Sequence, residues 1–236
     1  MKALIDLHCH TISSGHAYST IKENAMEAKE KGLKVLGISD HAPSMPGTAH
    51  FYHFLNLGVL NEIEGVKILK GIEANIIDYN GTIDVPKEIL EKLDYIIASL
   101  HPPCISFGNK EENTRAIIGA MKKEKVKIIG HPDDSRYPLN YEEIVKAAKE
   151  NNVFLELNNS SLNPKGFREG AIENAKTMLK LCEKYNAKII FGSDAHVYYD
   201  VGNFTRCINI VEEMNFPKDL IVNFNKEDID FLGAKI

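Results

Sequence analysis

Seven short apolar runs, separated by stretches with amphipathic helical periodicity, constrain this chain more than any other feature. The runs cover residues 3–8, 35–40, 66–73, 95–101, 127–131, 153–158 and 188–194. Most are rich in Ile, Leu and Val, the pattern of strands buried on both faces. Thr20 and Glu23 have the spacing of a capping box, and Gly32 closes the helix they open. Asn140 opens another helix through about Asn151, with Glu143 at its third position, and residues 170–185 and 202–214 form two more. Asn80-Gly81 marks a local hairpin turn. Strands alternating with helices pair in parallel through right-handed crossovers. Seven such units in 236 residues favour a barrel over an open sheet. The expected fold is therefore α/β and TIM-barrel-like, one unit over residues 1–236, with its chemistry at the C-terminal ends of the strands.

The histidines agree with that placement. His8 and His10 end the first run, His41 follows the second, His101 ends the fourth and His131 the fifth. Asp194 and His196 follow the seventh, Glu73 sits late in the third, and His16 lies in the loop after the first. Side chains at i and i+2 of an extended segment share a side, so His8 with His10, and Asp194 with His196, can each address one ion. Imidazole and carboxylate together suit zinc, manganese or iron. Any one of these residues alone reads as a structural hydrogen-bonding group or a helix cap, and the signal is their convergence on one end of the barrel. Nine candidate ligands exceed the needs of one catalytic zinc, which points to two or three ions. His50 and His53 have no strand-end position and read as loop or surface residues.

A net charge of −5 argues against a general nucleic-acid binder, although bound cations would leave a phosphorylated substrate open. No run approaches the ~18 apolar residues of a membrane span. The opening residues do not form a signal peptide, and four scattered cysteines make neither a zinc knuckle nor a disulfide framework. A cytoplasmic protein with reduced thiols is expected.

Asp6-Leu-His8-Cys-His10-Thr11, Ser39-Asp40-His41, Gly71-Ile-Glu73, the ends at His101 and His131, and Gly192-Ser-Asp194-Ala-His196 together resemble the PHP (polymerase and histidinol phosphatase) family. His16-Ala-Tyr-Ser19, Gly71-Ile-Glu-Ala-Asn75 and Glu156-Leu-Asn-Asn-Ser-Ser161 look like its small stand-alone, YcdX-like phosphatase branch. The resemblance implies a distorted (β/α)7 barrel with a trinuclear site, usually described with zinc. It implies that His8, His10, Glu73 and Asp194 hold one ion, and that Glu73 bridges to a second held by His101 and His131. His16, His41 and His196 would hold the third. Asp6 and Asp40 would orient neighbouring imidazoles or bond the backbone of their turns.

On that ligand set, the chain is expected to hydrolyse small phosphomonoesters. A hydroxide bridging two ions would be the nucleophile, and Glu73 and Asp194 would be catalytic through positioning it. Lys165 and Arg168, in the loop after the sixth run, are candidates for binding substrate phosphate, against a reading as solvated loop charges that applies equally to Arg136. Cys9 should face away from the ions. A phosphodiesterase or exonuclease of the same family is the alternative enzyme, histidinol phosphate a narrower substrate, and a non-catalytic metal-binding module the alternative outside enzymes.

Overall fold

The computed structural model describes residues 2–233; Met1 and residues 234–236, the ends of the unit expected over 1–236, lie outside the described residues. The strands are Ile5–Asp6 (β1), Val35–Ile38 (β2), Glu62–Ile63 (β3), Val66–Lys70 (β4), Glu73–Asn75 (β5), Ile96–Ser99 (β6), Val126–Ile129 (β7), Phe154–Asn158 (β8) and Ile189–Gly192 (β9). They form a sheet of order β1-β2-β4-β3 and a sheet of order β5-β6-β7-β8-β9. Pairing is parallel throughout, except where β3 runs antiparallel along β4. Short parallel bridges join the sheets at both seams, Cys9 to Ala195 and His41 to Glu73. The result is a distorted, TIM-barrel-like α/β arrangement.

Alternation along the strands sorts their side chains into two cores. Ile5, Val35, Leu69, Tyr95, Ile97, Ile128 and Ile190 belong to an inner cluster. Leu36, Ile38, Ile96, Ala98, Ile129, Ile189 and Phe191 pack outward in a larger cluster that includes the helices. Both strand faces are thus dry, which is why the runs read as continuously apolar.

The third run is not one strand, as expected, but two, β4 and β5, separated at Gly71-Ile72. Tyr95 accounts for the glycine. Its buried ring fills the interior, its hydroxyl donates to the Leu7 carbonyl at 2.6 Å, and a Cβ on Gly71 would lie 2.3 Å from its Cζ. The chain crosses from one sheet to the other there, and Glu73 emerges at the seam.

The helices are Ile21–Glu30 (α1), Tyr52–Asn56 (α2), Lys87–Leu90 (α3), Lys110–Met121 (α4), Tyr141–Asn151 (α5), Ala171–Tyr185 (α6), Thr205–Glu213 (α7) and Lys226–Phe231 (α8). The capping box at Thr20 and Glu23 forms as read from the sequence, and α5, α6 and α7 fall within or near their expected ranges. Helix α4 was not anticipated, although Asn109 and Glu112 make a second capping box. Its Gly119 lets the turn at Asn80-Gly81 approach, since a Cβ there would stand 2.1 Å from the Asn80 carbonyl oxygen. That turn closes a minimal hairpin with one antiparallel bridge, Ile76 to Ile83. No helix among the described residues is long and apolar enough to cross a membrane.

Candidate metal centre

The strand ends deliver their polar side chains to one point. His8 and His10 follow β1, His41 follows β2, Glu73 opens β5, His101 follows β6, His131 follows β7, and Asp194 and His196 follow β9. At β1 the alternation is interrupted: Leu7 joins the inner core, yet the next residue, His8, turns into the site. The Asp6 carboxylate accepts the His8 backbone N–H at 3.3 Å, and those of Ser193 and Gly202 at 3.3 and 2.8 Å. Of its two expected roles, Asp6 therefore takes the backbone one. His131 and Asp194 sit at φ of 30° and 54°, a strained backbone for residues with side chains and one concentrated at functional sites.

Glu73 is the hub. Its Oε1 lies 2.9 Å from His131 Nε2, 3.2 Å from His101 Nε2 and 3.4 Å from His8 Nε2. Its Oε2 lies 2.8 Å from His41 Nδ1 and 3.5 Å from His10 Nε2. Asp194 Oδ1 is 3.3 Å from His10 Nε2, and 3.6 Å from both His8 Nε2 and His196 Nδ1. Four overlapping triads have donor atoms within 4.8 Å of one another: His8/His10/Asp194, His8/Glu73/His131, His41/Glu73/His101 and His10/His41/His196. His16 stands outside these triads, more exposed, with its ring 5.0 Å from His41 and 4.9 Å from His196. Cys9 points into the outer core, as alternation predicts.

Whether these residues fit cations can be judged from the atoms left without a hydrogen bond. His8 Nε2, His10 Nε2, His41 Nδ1 and Glu73 Oε2 are all buried and none makes a hydrogen bond, the approach of His41 Nδ1 to Glu73 Oε2 being an ion-pair contact alone. Leaving such groups unpaired costs free energy, and here they converge on shared points, where a cation would complete each of them.

The charge states favour ligation. Burial opposes ionisation of Glu73, but His101, His8 and His41 outweigh it and hold the carboxyl well below its usual range. Asp194 is likewise held low against its burial by His8, His10 and Arg168. Burial and neighbouring imidazoles lower His10, and burial brings His101 to about 4, so both rings are neutral near pH 7. His8 differs: burial lowers it, but Glu156, Glu73 and Asp194 raise it well above the normal imidazole value.

A second layer aims the rings. His8 Nδ1 donates to Glu156 Oε1 at 2.6 Å, and His101 Nδ1 to Asn75 Oδ1 at 2.7 Å, turning each Nε2 toward the centre. His10 Nδ1 meets Ser14 Oγ at 3.0 Å, and Ser14 donates to Asp40 Oδ1 at 2.7 Å, so Asp40 orients His10 through a hydroxyl. Glu156 and Asn75 lie in segments singled out from the sequence, but these roles were not assigned there. His53 was misplaced: instead of lying on the surface, it brings Nε2 within 3.1 Å of Asp40 Oδ2. His50 is exposed, as read.

The loop after β8 also departs from the solvated-charge reading. The Arg168 side chain is only 8% exposed and sets Nη1 and Nη2 each 3.2 Å from Asp194 Oδ2. Lys165, on the same loop, is exposed. Asp133, which the sequence did not bring forward, is buried beside the centre, and burial pushes its carboxyl up to about 6.

The PHP domain family model matches residues 6–160, about two thirds of the chain. The chain belongs to the PHP family. A probable phosphatase of Clostridium novyi (strain NT) is 47% identical to this PHP chain over 237 residues, covering 100% of this chain and 96% of that one. A probable phosphatase of Acetivibrio thermocellus is 46% identical over 231 residues, covering 98% and 95%. Among solved structures, histidinol phosphate phosphatase of Lactococcus lactis, complexed with zinc, L-histidinol and phosphate, aligns with a TM-score of 0.58 at 13% identity over 92% of this chain and 95% of that one. At that identity the likeness concerns the fold.

Proposed function

We propose that this PHP chain is a metal-dependent phosphatase that hydrolyses small phosphomonoesters at a centre of three divalent cations. The carrying observation is the convergence of three buried imidazole nitrogens that make no hydrogen bond, on His8, His10 and His41, around the ionised Glu73. The names of the full-length relatives and the zinc, histidinol and phosphate bound by the L. lactis protein support the same reading.

In this reading His8, His10, Glu73 and Asp194 would hold one cation, Glu73, His101 and His131 a second, and His41, His196 and His16 a third. The donor set suits zinc and would also take manganese or iron. Divalent cations there supply a Lewis acid for phosphoryl oxygens and lower the pKa of water from ~15.7 towards ~7.

The rest falls to the chain's own residues. Glu73 and Asp194 stay ionised at neutral pH and act catalytically by positioning the attacking oxygen. Arg168 offers a buried guanidinium beside Asp194, whose fork matches two phosphoryl oxygens. The strand-end walls keep these groups dry, so their charges act with little screening. Lys165, exposed, contributes a rim charge at most.

The test is phosphate release from an aryl phosphomonoester by metal-loaded protein, beside an Asp194→Asn variant and a chelated sample. Turnover abolished in both controls supports the reading. Absence of turnover with zinc, manganese and iron alike would overturn it.

A further inference from the structure

We propose that the alcohol half of the substrate carries a planar aromatic ring, bound on a platform formed by Phe107, Arg136 and Phe167. The proposal rests on the phosphomonoesterase reading and names the substrate class of that same site.

The cavity beside His101, His131 and Arg168 has a volume of only about 40 Å³. That is room for a few water molecules and not for a ring. A ring on the leaving group must therefore lie outside this cavity, whose lining includes the largely exposed Phe167 and, next to it, Arg168. What it meets there is unusual for a soluble surface. Phe167 and Phe107 are 67% and 51% exposed, yet both approach one guanidinium. Arg136 Cζ lies 5.8 Å from the Phe167 centroid and 5.4 Å from that of Phe107. Arg168 Cζ, at 5.0 Å from Phe167, ties the platform to Asp194 and the centre.

The platform is held in place before anything binds. Arg136 grips Asp134 with Nη2 at 2.6 Å and Nε at 3.0 Å, which fixes its plane and neutralises its charge. Phe107 is braced by the Tyr137 ring at 4.8 Å, and the Tyr137 hydroxyl donates to the Ile105 carbonyl at 2.8 Å. A guanidinium neutralised by Asp134 and flanked by exposed rings offers flat faces and no free charge. Such surfaces stack planar rings, as aromatic and arginine planes do with nucleobases. A sugar or a short aliphatic alcohol would gain little from them.

Adenosine 5′-monophosphate and ribose 5-phosphate make the decisive pair, because they share phosphate and sugar and differ by the base. In the metal-loaded enzyme, kcat/KM should favour the nucleotide by about tenfold or more, the size of one base–aromatic contact. Phe167→Ala should bring the ratio toward one, and Phe107→Ala should reduce it. A ratio near one in the parent enzyme, or one that both variants leave unchanged, overturns the platform while leaving the phosphatase intact. If neither compound is hydrolysed, calorimetric binding to the metal-loaded protein separates the two ideas. Tighter binding of the nucleotide that weakens in Phe167→Ala supports the platform without the phosphatase, and equal affinities overturn the platform.

Discussion

Glu156 Oε1 accepts a hydrogen bond from His8 Nδ1 at 2.6 Å, and the same carboxylate accepts the His131 backbone N–H through Oε2 at 2.7 Å. One buried side chain thus aims a ligand ring from β1 and fixes the strained backbone that presents another after β7. Glu156→Gln keeps the shape but removes the charge that orients and polarises the ring. Metal affinity should fall about 10- to 100-fold, with the fold unchanged by circular dichroism. Competition with a chelator of known affinity measures it, and an unchanged affinity would show that Glu156 is structural.

The Glu156–His8 pair also marks where the sequence stopped being informative. The convergence of these side chains could be read because a parallel barrel sends strand ends to one face, so the positions of His101 and His131 were enough to place them together. Partners such as Glu156 and Asn75 depend on which strand end faces which ring, and His8 and Glu156 are 148 residues apart. The β4–β5 break was hidden for a related reason, since it answers to a tyrosine from the following strand. Helix α4 carries a start signal in Asn109 and Glu112, and its Gly119, an unfavourable residue inside a helix, is explained only by the neighbouring turn that it admits. His53 had no strand to point to it; only its contact with buried Asp40 reveals its place.

Gly71→Ala should destabilise the protein by about 1–3 kcal/mol, because the new methyl meets the Tyr95 ring in a filled interior. Tyr95→Phe should cost a similar amount by leaving the buried Leu7 carbonyl unpaired. Urea unfolding reads both. If the glycine matters for this clash alone, combining Gly71→Ala with Tyr95→Ala should show no added cost from the methyl; full additivity would contradict that account.

Metal removal should lower stability, by about 4 kcal/mol for each site that was filled at a free cation concentration 1,000 times its dissociation constant. Binding should also release protons. His8 is held well above the ordinary imidazole value, because burial is outweighed by Glu156, Glu73 and Asp194 together, so in the metal-free protein it keeps a proton that a cation must displace. The sign follows: affinity rises with pH and stops rising once pH passes the His8 titration. Calorimetry in buffers of different ionisation enthalpy gives the proton count, and a count of zero at pH 7 would remove His8 from the proton balance.

Asp40 provides a graded test of ring positioning. It accepts from Thr11 N at 2.7 Å, Thr11 Oγ1 at 2.8 Å and Ser14 Oγ at 2.7 Å, and it meets His53 Nε2 at 3.1 Å. Burial raises its carboxyl, yet these partners bring it down to about 2. His53→Ala removes one partner and leaves the Ser14 link to His10 in place, so metal affinity should fall less than tenfold. Asp40→Asn weakens that link itself and should cost about 10- to 100-fold. Ser14→Ala should fall with Asp40→Asn, because the hydroxyl carries the hydrogen-bond connection between the carboxylate and the ring. Chelator competition on the three variants checks the order, and a larger loss for His53→Ala than for Asp40→Asn would mean that His53 acts on the centre by another route.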